Sequence, residues 1–147
     1  MSGDRKSGPA PEQDFRICLE ETIPGDVEAI APLVQRVTDI LIERGVVPGH
    51  EAEIALALQE ALANAVRYGA RKDPGKKVHL TLSCGERRGM KIVVRDPGTG
   101  FDPASVPNPV SADGLLSDHG RGLHMIRALL DKVHWEKNGT EIHMTKF

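Results

Sequence analysis

Two pairs of alternating apolar segments, each joined by a tight turn, constrain this chain more than any other feature. Val78–Cys84 places Val78, Leu80, Leu82 and Cys84 at every second position, and Met90–Arg95 follows across Gly85–Gly89. Lys132–Lys137 and Thr140–Lys146 repeat the arrangement across Asn138–Gly139, a strong two-residue hairpin signal. Period-two patterning predicts strands, and strands joined by short turns pair antiparallel. A further strand is expected over Phe15–Glu20, where Phe15, Ile17 and Leu19 alternate with Arg16, Cys18 and Glu20.

The helical segments are grouped rather than alternating with these strands. Val27–Arg44 carries Ile30, Leu33, Val34, Val37, Ile40 and Leu41 at helical spacing, with Gly45 as a stop. Pro32 either kinks this helix or lies in its first turn. Glu51–Tyr68 is rich in Ala, Leu and Glu and reads as the strongest helix, with Gly69 placed as a C-cap. A third helix is expected over Gly120–Leu130. Grouped helices with antiparallel strand pairs predict an α+β fold: a two-layer α/β sandwich with a mixed, mostly antiparallel sheet and helices on one face.

The 147 residues suit one domain and are too few for two with a linker. Residues 1–14, rich in Gly, Pro, Ser and charge, are expected to form a disordered tail before a domain over 15–147. A net charge of −2 and 3% aromatic residues argue against a nucleic-acid surface. The N-terminus lacks the apolar stretch of a signal peptide, and no apolar run approaches the ~20 residues that span a bilayer. A cytoplasmic, membrane-free protein is expected, with Cys18 and Cys84 as small buried hydrophobes.

Three segments carry possible chemistry. On the second helix, Glu60 and Asn64 are i and i+4 and therefore stacked neighbours, with Glu53 and Arg67 on the same stripe. Such a stripe is commonly just a wet helix face. Asn is a mediocre mid-helix residue, however, and its carboxamide oxygen could ligate a hard cation such as Mg²⁺. A carboxylate one turn away could act as a general base toward a hydroxyl or water.

Asp96-Pro97-Gly98-Thr99-Gly100-Phe101 sets an acid at a strand end before Gly-x-Gly. It reads either as a plain turn or as a carboxylate accepting from an exocyclic amine such as adenine N6, with glycines admitting a ligand close to the backbone. Gly120-Arg121-Gly122-Leu123 enters the third helix. It is either an ordinary capping loop or a phosphate site, where free N–H groups and the helix dipole favour an anion and Arg121 adds positive charge. Neither a Walker A loop nor a G-x-G-x-x-G dinucleotide fingerprint is present. Between the two glycine segments, Pro97–His119 is long and rich in Gly, Pro, Ser, Asp and Asn, the composition of a functional loop. His119 and His124 read as solvated or packing side chains.

Taken together, these segments resemble the motifs of the GHKL superfamily, which includes gyrase, the heat-shock chaperone ATPase, histidine kinases and the mismatch-repair ATPases. Glu60-Ala-Leu-Ala-Asn64-Ala-Val-Arg-Tyr-Gly69 is similar to its N box, Asp96–Pro103 to its first glycine box, and Gly120–Ile126 to its second. Gly139-Thr140-Glu141-Ile142 is similar to the late strand whose threonine helps hold adenine. All four fall in the family's order. Within the superfamily, the stand-alone size and the GRGLxxI and DxGxGFDP forms most resemble the anti-sigma-factor serine/threonine kinases.

The resemblance implies a Bergerat-type ATP-binding fold using ATP and Mg²⁺. It implies Asn64 as the Mg²⁺ ligand and Asp96 as the receptor of adenine N6. Arg67, Gly98, Gly100, Phe101, Gly120, Arg121, Gly122, Leu123 and Thr140 would line the nucleotide, and Pro103–His119 would form a lid. Glu60 would take the proton from a serine or threonine hydroxyl of an antagonist protein. The implied partners are that antagonist and a sigma factor, and a homodimer is compatible. A non-catalytic nucleotide-dependent binding module and a detached histidine-kinase catalytic domain are the alternatives. Tyr68 departs from the pattern, because many relatives carry His there.

Overall fold

The computed structural model describes residues 14–86, 88–100 and 118–147, and of residues 118–120 only the backbone. The expected tail through residue 13, Phe101 and the expected lid over 103–117 lie outside the described residues. Five strands form one sheet: β1 (Arg16–Pro24), β2 (Lys77–Cys84), β3 (Met90–Arg95), β4 (Lys132–Glu136) and β5 (Glu141–Lys146). Their order across the sheet is β1-β2-β3-β5-β4. Every pairing is antiparallel, so the expected mixed sheet is corrected to a fully antiparallel one. The chain leaves β3, crosses to β4 at the edge, and returns as β5 to fill the place beside β3. That return puts the end of β3 against the start of β5, with Arg95 opposite Glu141.

The strand faces divide as alternation requires. Val78, Leu80, Leu82 and Cys84 of β2 are buried, while His79, Thr81 and Ser83 between them are only partly covered. The buried face meets three α-helices: α1 (Ile30–Arg44), α2 (Glu51–Asn64) and α3 (Asp118–Leu129). Helix α2 packs against both others. Leu33 and Leu41 of α1, Ile54, Leu58 and Leu62 of α2, and Ile126 of α3 are wholly enclosed with Leu80, Leu82, Ile92 and Met144 of the sheet. Each such side chain stabilises the fold by roughly 1.5–3 kcal/mol through area removed from water.

Local details differ from the sequence expectations for identifiable reasons. Strand β1 runs on to Pro24, because Thr22 and Ile23 continue the ladder against His79 and Val78. The register slips between Ile17 and Leu19, leaving Ile17 60% exposed and carrying Cys18 inward to Cys84. Pro32 lies in the first turn of α1, where its missing N–H costs nothing. The β4–β5 connection is a four-residue turn, Lys137–Thr140, with left-handed Lys137, Asn138 and Gly139, rather than the two-residue turn expected.

Helix α2 does not run on regularly to Tyr68. After Asn64 it widens into one π-helical turn, Ala65–Gly69, with Ala70 N–H donating to Ala65 O at 2.8 Å. Gly69 is therefore inside this turn and not a left-handed C-cap. Single π turns of this kind re-aim side chains and recur at functional sites.

Candidate functional site

One end of the sheet gathers the three chemical segments. Asp96 follows directly on β3, and its N–H donates to Thr140 O at 2.9 Å, tying the end of β3 to the start of β5. The C-terminal end of α2 and the N-terminal part of α3 close over that corner. Between them lies a cavity of about 270 Å³, walled by Asn64, Tyr68, Gly69, Arg71, Asp96, Gly100, Leu123, Trp135, Gly139 and Thr140, with apolar Ala61, Ala65, Val94 and Ile142.

Asp96 is half-buried at this wall. Burial pushes its carboxyl above the usual carboxylate range, partly offset by the Gly98 N–H that donates to Oδ1 at 2.8 Å. The space around it is made by glycine. A Cβ on Gly69 would overlap the Asp96 side chain, so the π turn approaches the acid only because residue 69 has none. Gly100 has φ +91, and a Cβ there would strike Asn138 O of the β4–β5 turn. A partly desolvated carboxylate in an apolar slot is an acceptor suited to an amine edge of a flat heterocycle.

Asn64 supplies the second polar feature. Its Nδ2 is buried without a hydrogen-bond partner. The Asn64 amide therefore brings one unsatisfied terminal atom to the cavity wall. A buried orphan of this kind costs on the order of 1–3 kcal/mol unless a ligand satisfies it. The Asn64 amide, with its hard oxygen, fits a Mg²⁺–phosphate group, and the cavity beside it fits a purine.

Glu60 does not line the cavity. It stands one turn before Asn64, half-buried, where α2 meets α3, and a Cβ on Gly122 would come within 2.8 Å of its Oε2 and 3.6 Å of Asn64 Nδ2. Gly122 thus permits the close approach of α3 to both side chains. Helix α3 spans Asp118–Leu129 among the described residues, so Gly120 to Gly122 are helical rather than part of a loop. Arg121 is exposed, and Gly98 touches the Asp96 carboxylate without lining the cavity. Arg67 is exposed and off the wall, because the π turn breaks the helical period that had aligned it with Asn64; Arg71 occupies the wall instead.

A family model for the histidine kinase-like ATPase domain matches residues 23–146. The chain belongs to the histidine kinase-like ATPase domain family. Among individual relatives it is similar to the serine-protein kinase RsbW of Halalkalibacterium halodurans, 30% identical over 139 residues that cover 88% of this chain and 82% of the relative. The RsbW of Bacillus subtilis (strain 168) is 24% identical over 136 residues, covering 88% and 84%. The RsbW of Staphylococcus epidermidis is 24% identical over 143 residues, covering 92% and 87%.

In this member of the histidine kinase-like ATPase family, several wall residues escape sequence reasoning. Trp135 is the sole tryptophan, on the inner face of β4, with the Arg127 guanidinium 4.8 Å from its ring centroid. Its signal was available: in Val133-His134-Trp135, alternation puts Trp135 on the same face as Val133. Tyr68 and Arg71 reach the wall through the π turn, which has no sequence signal as plain as a proline.

Proposed function

We propose that this protein is an ATP- and Mg²⁺-dependent serine/threonine kinase that phosphorylates an antagonist protein and sequesters a sigma factor in the cytoplasm. The observation that carries the catalytic part is Glu60, held one helical turn from the unsatisfied Asn64 amide and beside the start of α3. The similarity to proteins named serine-protein kinase supports the reaction class. Among the described residues no helix is long and apolar enough to cross a membrane.

ATP is the substrate of the proposed reaction. Asp96 accepts from the adenine amine, Thr140 and Leu123 bound the base, and Gly100 lets the loop after β3 lie close to it. Asn64 would hold Mg²⁺, which supplies charge neutralisation at the phosphates. The first turns of α3 present backbone N–H groups and the positive end of the helix dipole toward anionic oxygens. Glu60 takes the hydroxyl proton of the partner's serine or threonine as its oxygen bonds to the γ-phosphorus and ADP leaves. Phosphoryl transfer depends mostly on positioning and charge stabilisation, so a site this small suffices.

Incubation with labelled ATP·Mg²⁺ and the antagonist protein tests this reading. Acid-stable phosphate on the antagonist, lost by 10²-fold or more in Glu60→Gln, is expected for a missing general base. Equal transfer by Glu60→Gln, or none by either protein while nucleotide still alters sigma-factor binding, would replace the kinase with a nucleotide-switched binding module.

A further inference from the structure

On the sheet face opposite the helices, the β4–β5 hairpin carries a second cluster with no part in the nucleotide site. His134 and His143 are directly opposed across the two strands, and so are Glu136 and Glu141. Antiparallel pairing with period-two alternation therefore places two imidazoles and two carboxylates at the corners of one small rectangle. His134 Nε2 lies 2.8 Å from Glu136 Oε2, and His143 Nε2 lies 3.3 Å from the same oxygen. His143 Nε2 also lies 2.8 Å from Glu141 Oε1. The rings stack with centroids 4.5 Å apart and 16° between planes. One donor atom from each of His134, Glu136 and His143 falls within 4.8 Å of the others.

These observations point past an ordinary surface ion-pair cluster. Two imidazoles brought face to face on neighbouring strands repel when both are charged, and they gain when their lone pairs share one cation. His143 Nδ1 is buried and has no partner, so the working nitrogen of that ring is Nε2, the one aimed at both carboxylates. The cluster is also half-sheltered: the His143 and Glu141 side chains are each 11% exposed, whereas His134 and Glu136 are about half open at 54% and 49%. The two inner groups are held by the sheet, and the two outer ones leave an entry path.

We propose that His134, Glu136 and His143 form a binding site for a divalent transition-metal ion of the Zn²⁺ class. Two imidazole nitrogens with carboxylate oxygens suit Zn²⁺, Co²⁺, Ni²⁺ or Cu²⁺ and disfavour Mg²⁺ and Ca²⁺, which take all-oxygen shells. Ligand atoms about 2 Å from a tetrahedral ion sit a little over 3 Å apart, close to the imidazole–carboxylate separations of 2.8 and 3.3 Å and inside the 4.8 Å that bounds the three donors. The ion ties β4 to β5 just before the Lys137–Thr140 turn. Because Gly139 and Thr140 wall the cavity, metal at this site stiffens one side of the nucleotide site from the opposite face of the sheet.

The full chain, stripped with a chelator, is titrated with Zn²⁺ and separately with Co²⁺, with Mg²⁺ as control. One equivalent of Zn²⁺ bound at micromolar affinity or tighter, a raised melting temperature and the intense visible bands of four-coordinate Co²⁺ are expected. His134→Ala and Glu136→Gln, both at half-open positions, should keep the metal-free melting temperature and weaken Zn²⁺ binding at least ten-fold. No saturable binding, an affinity unchanged in both variants, or only the faint spectrum of six-coordinate Co²⁺ would overturn the proposal.

Discussion

At the scale of single residues, the site is a set of compromises between stability and binding. Asp96 sits where burial raises its carboxyl above the usual range. The sign follows from proton uptake. The folded chain holds the Asp96 proton more tightly than the unfolded chain does. Its contribution to stability is therefore fully present at low pH and is lost as pH rises through the raised folded value. Asp96→Asn keeps an oxygen for the Gly98 N–H and removes the buried charge. Thermal melts should find it as stable as the parent protein or more so near pH 8, with the difference closing toward pH 4, while its affinity for ATP falls. The Asp96–Gly98–Gly100 segment is legible in the sequence as an acid before Gly-x-Gly at a strand end, a pattern that suits a plain turn as well as a ligand acceptor. The role of Gly69 is not, since only the folded chain brings residues 69 and 96 together.

Among the elements, the decisive contact is α2 against α3. At Gly122 α3 comes close to Glu60, and the atom a new Cβ would meet is the far end of a flexible side chain. Gly122→Ala should therefore fold, gaining up to about 1 kcal/mol of helix propensity. The displaced Glu60 should lower phosphotransfer roughly ten-fold with ATP affinity little changed, as single-turnover kinetics alongside equilibrium titration would show. Deeper in α2, Leu62 is wholly enclosed, and Leu62→Ala should cost about 2–5 kcal/mol in urea unfolding through the cavity it leaves. Strand and helix identities are legible from period two against period 3.6. The β1 bulge and the π turn after Asn64 are not, because each is a one-residue slip fixed by packing rather than by local preference. The same slip explains why Arg71, and not Arg67, reaches the cavity.

On the scale of the whole molecule, the fully antiparallel sheet gives two unlike faces. One carries the helices, the core and the nucleotide cavity; the other carries the His134–His143 cluster. The return of β5 between β3 and β4 joins them, because the β4–β5 turn that walls the cavity also ends the strands bearing that cluster. The fold class follows from short turns between paired strands and from helices grouped rather than alternating with them, whereas the β5 return is a tertiary choice that neighbouring strands could have made differently. The proposed adenine-nucleotide site lies at the β3–β5 corner, and Trp135, the sole tryptophan, lies in its wall. Its fluorescence during titration with ATP·Mg²⁺ reads that site directly. A saturable change at one nucleotide per chain, weakened ten-fold or more by Asp96→Asn and poorly reproduced by GTP, is predicted. No change in Trp135 emission, or undiminished ATP binding by Asp96→Asn, would contradict it.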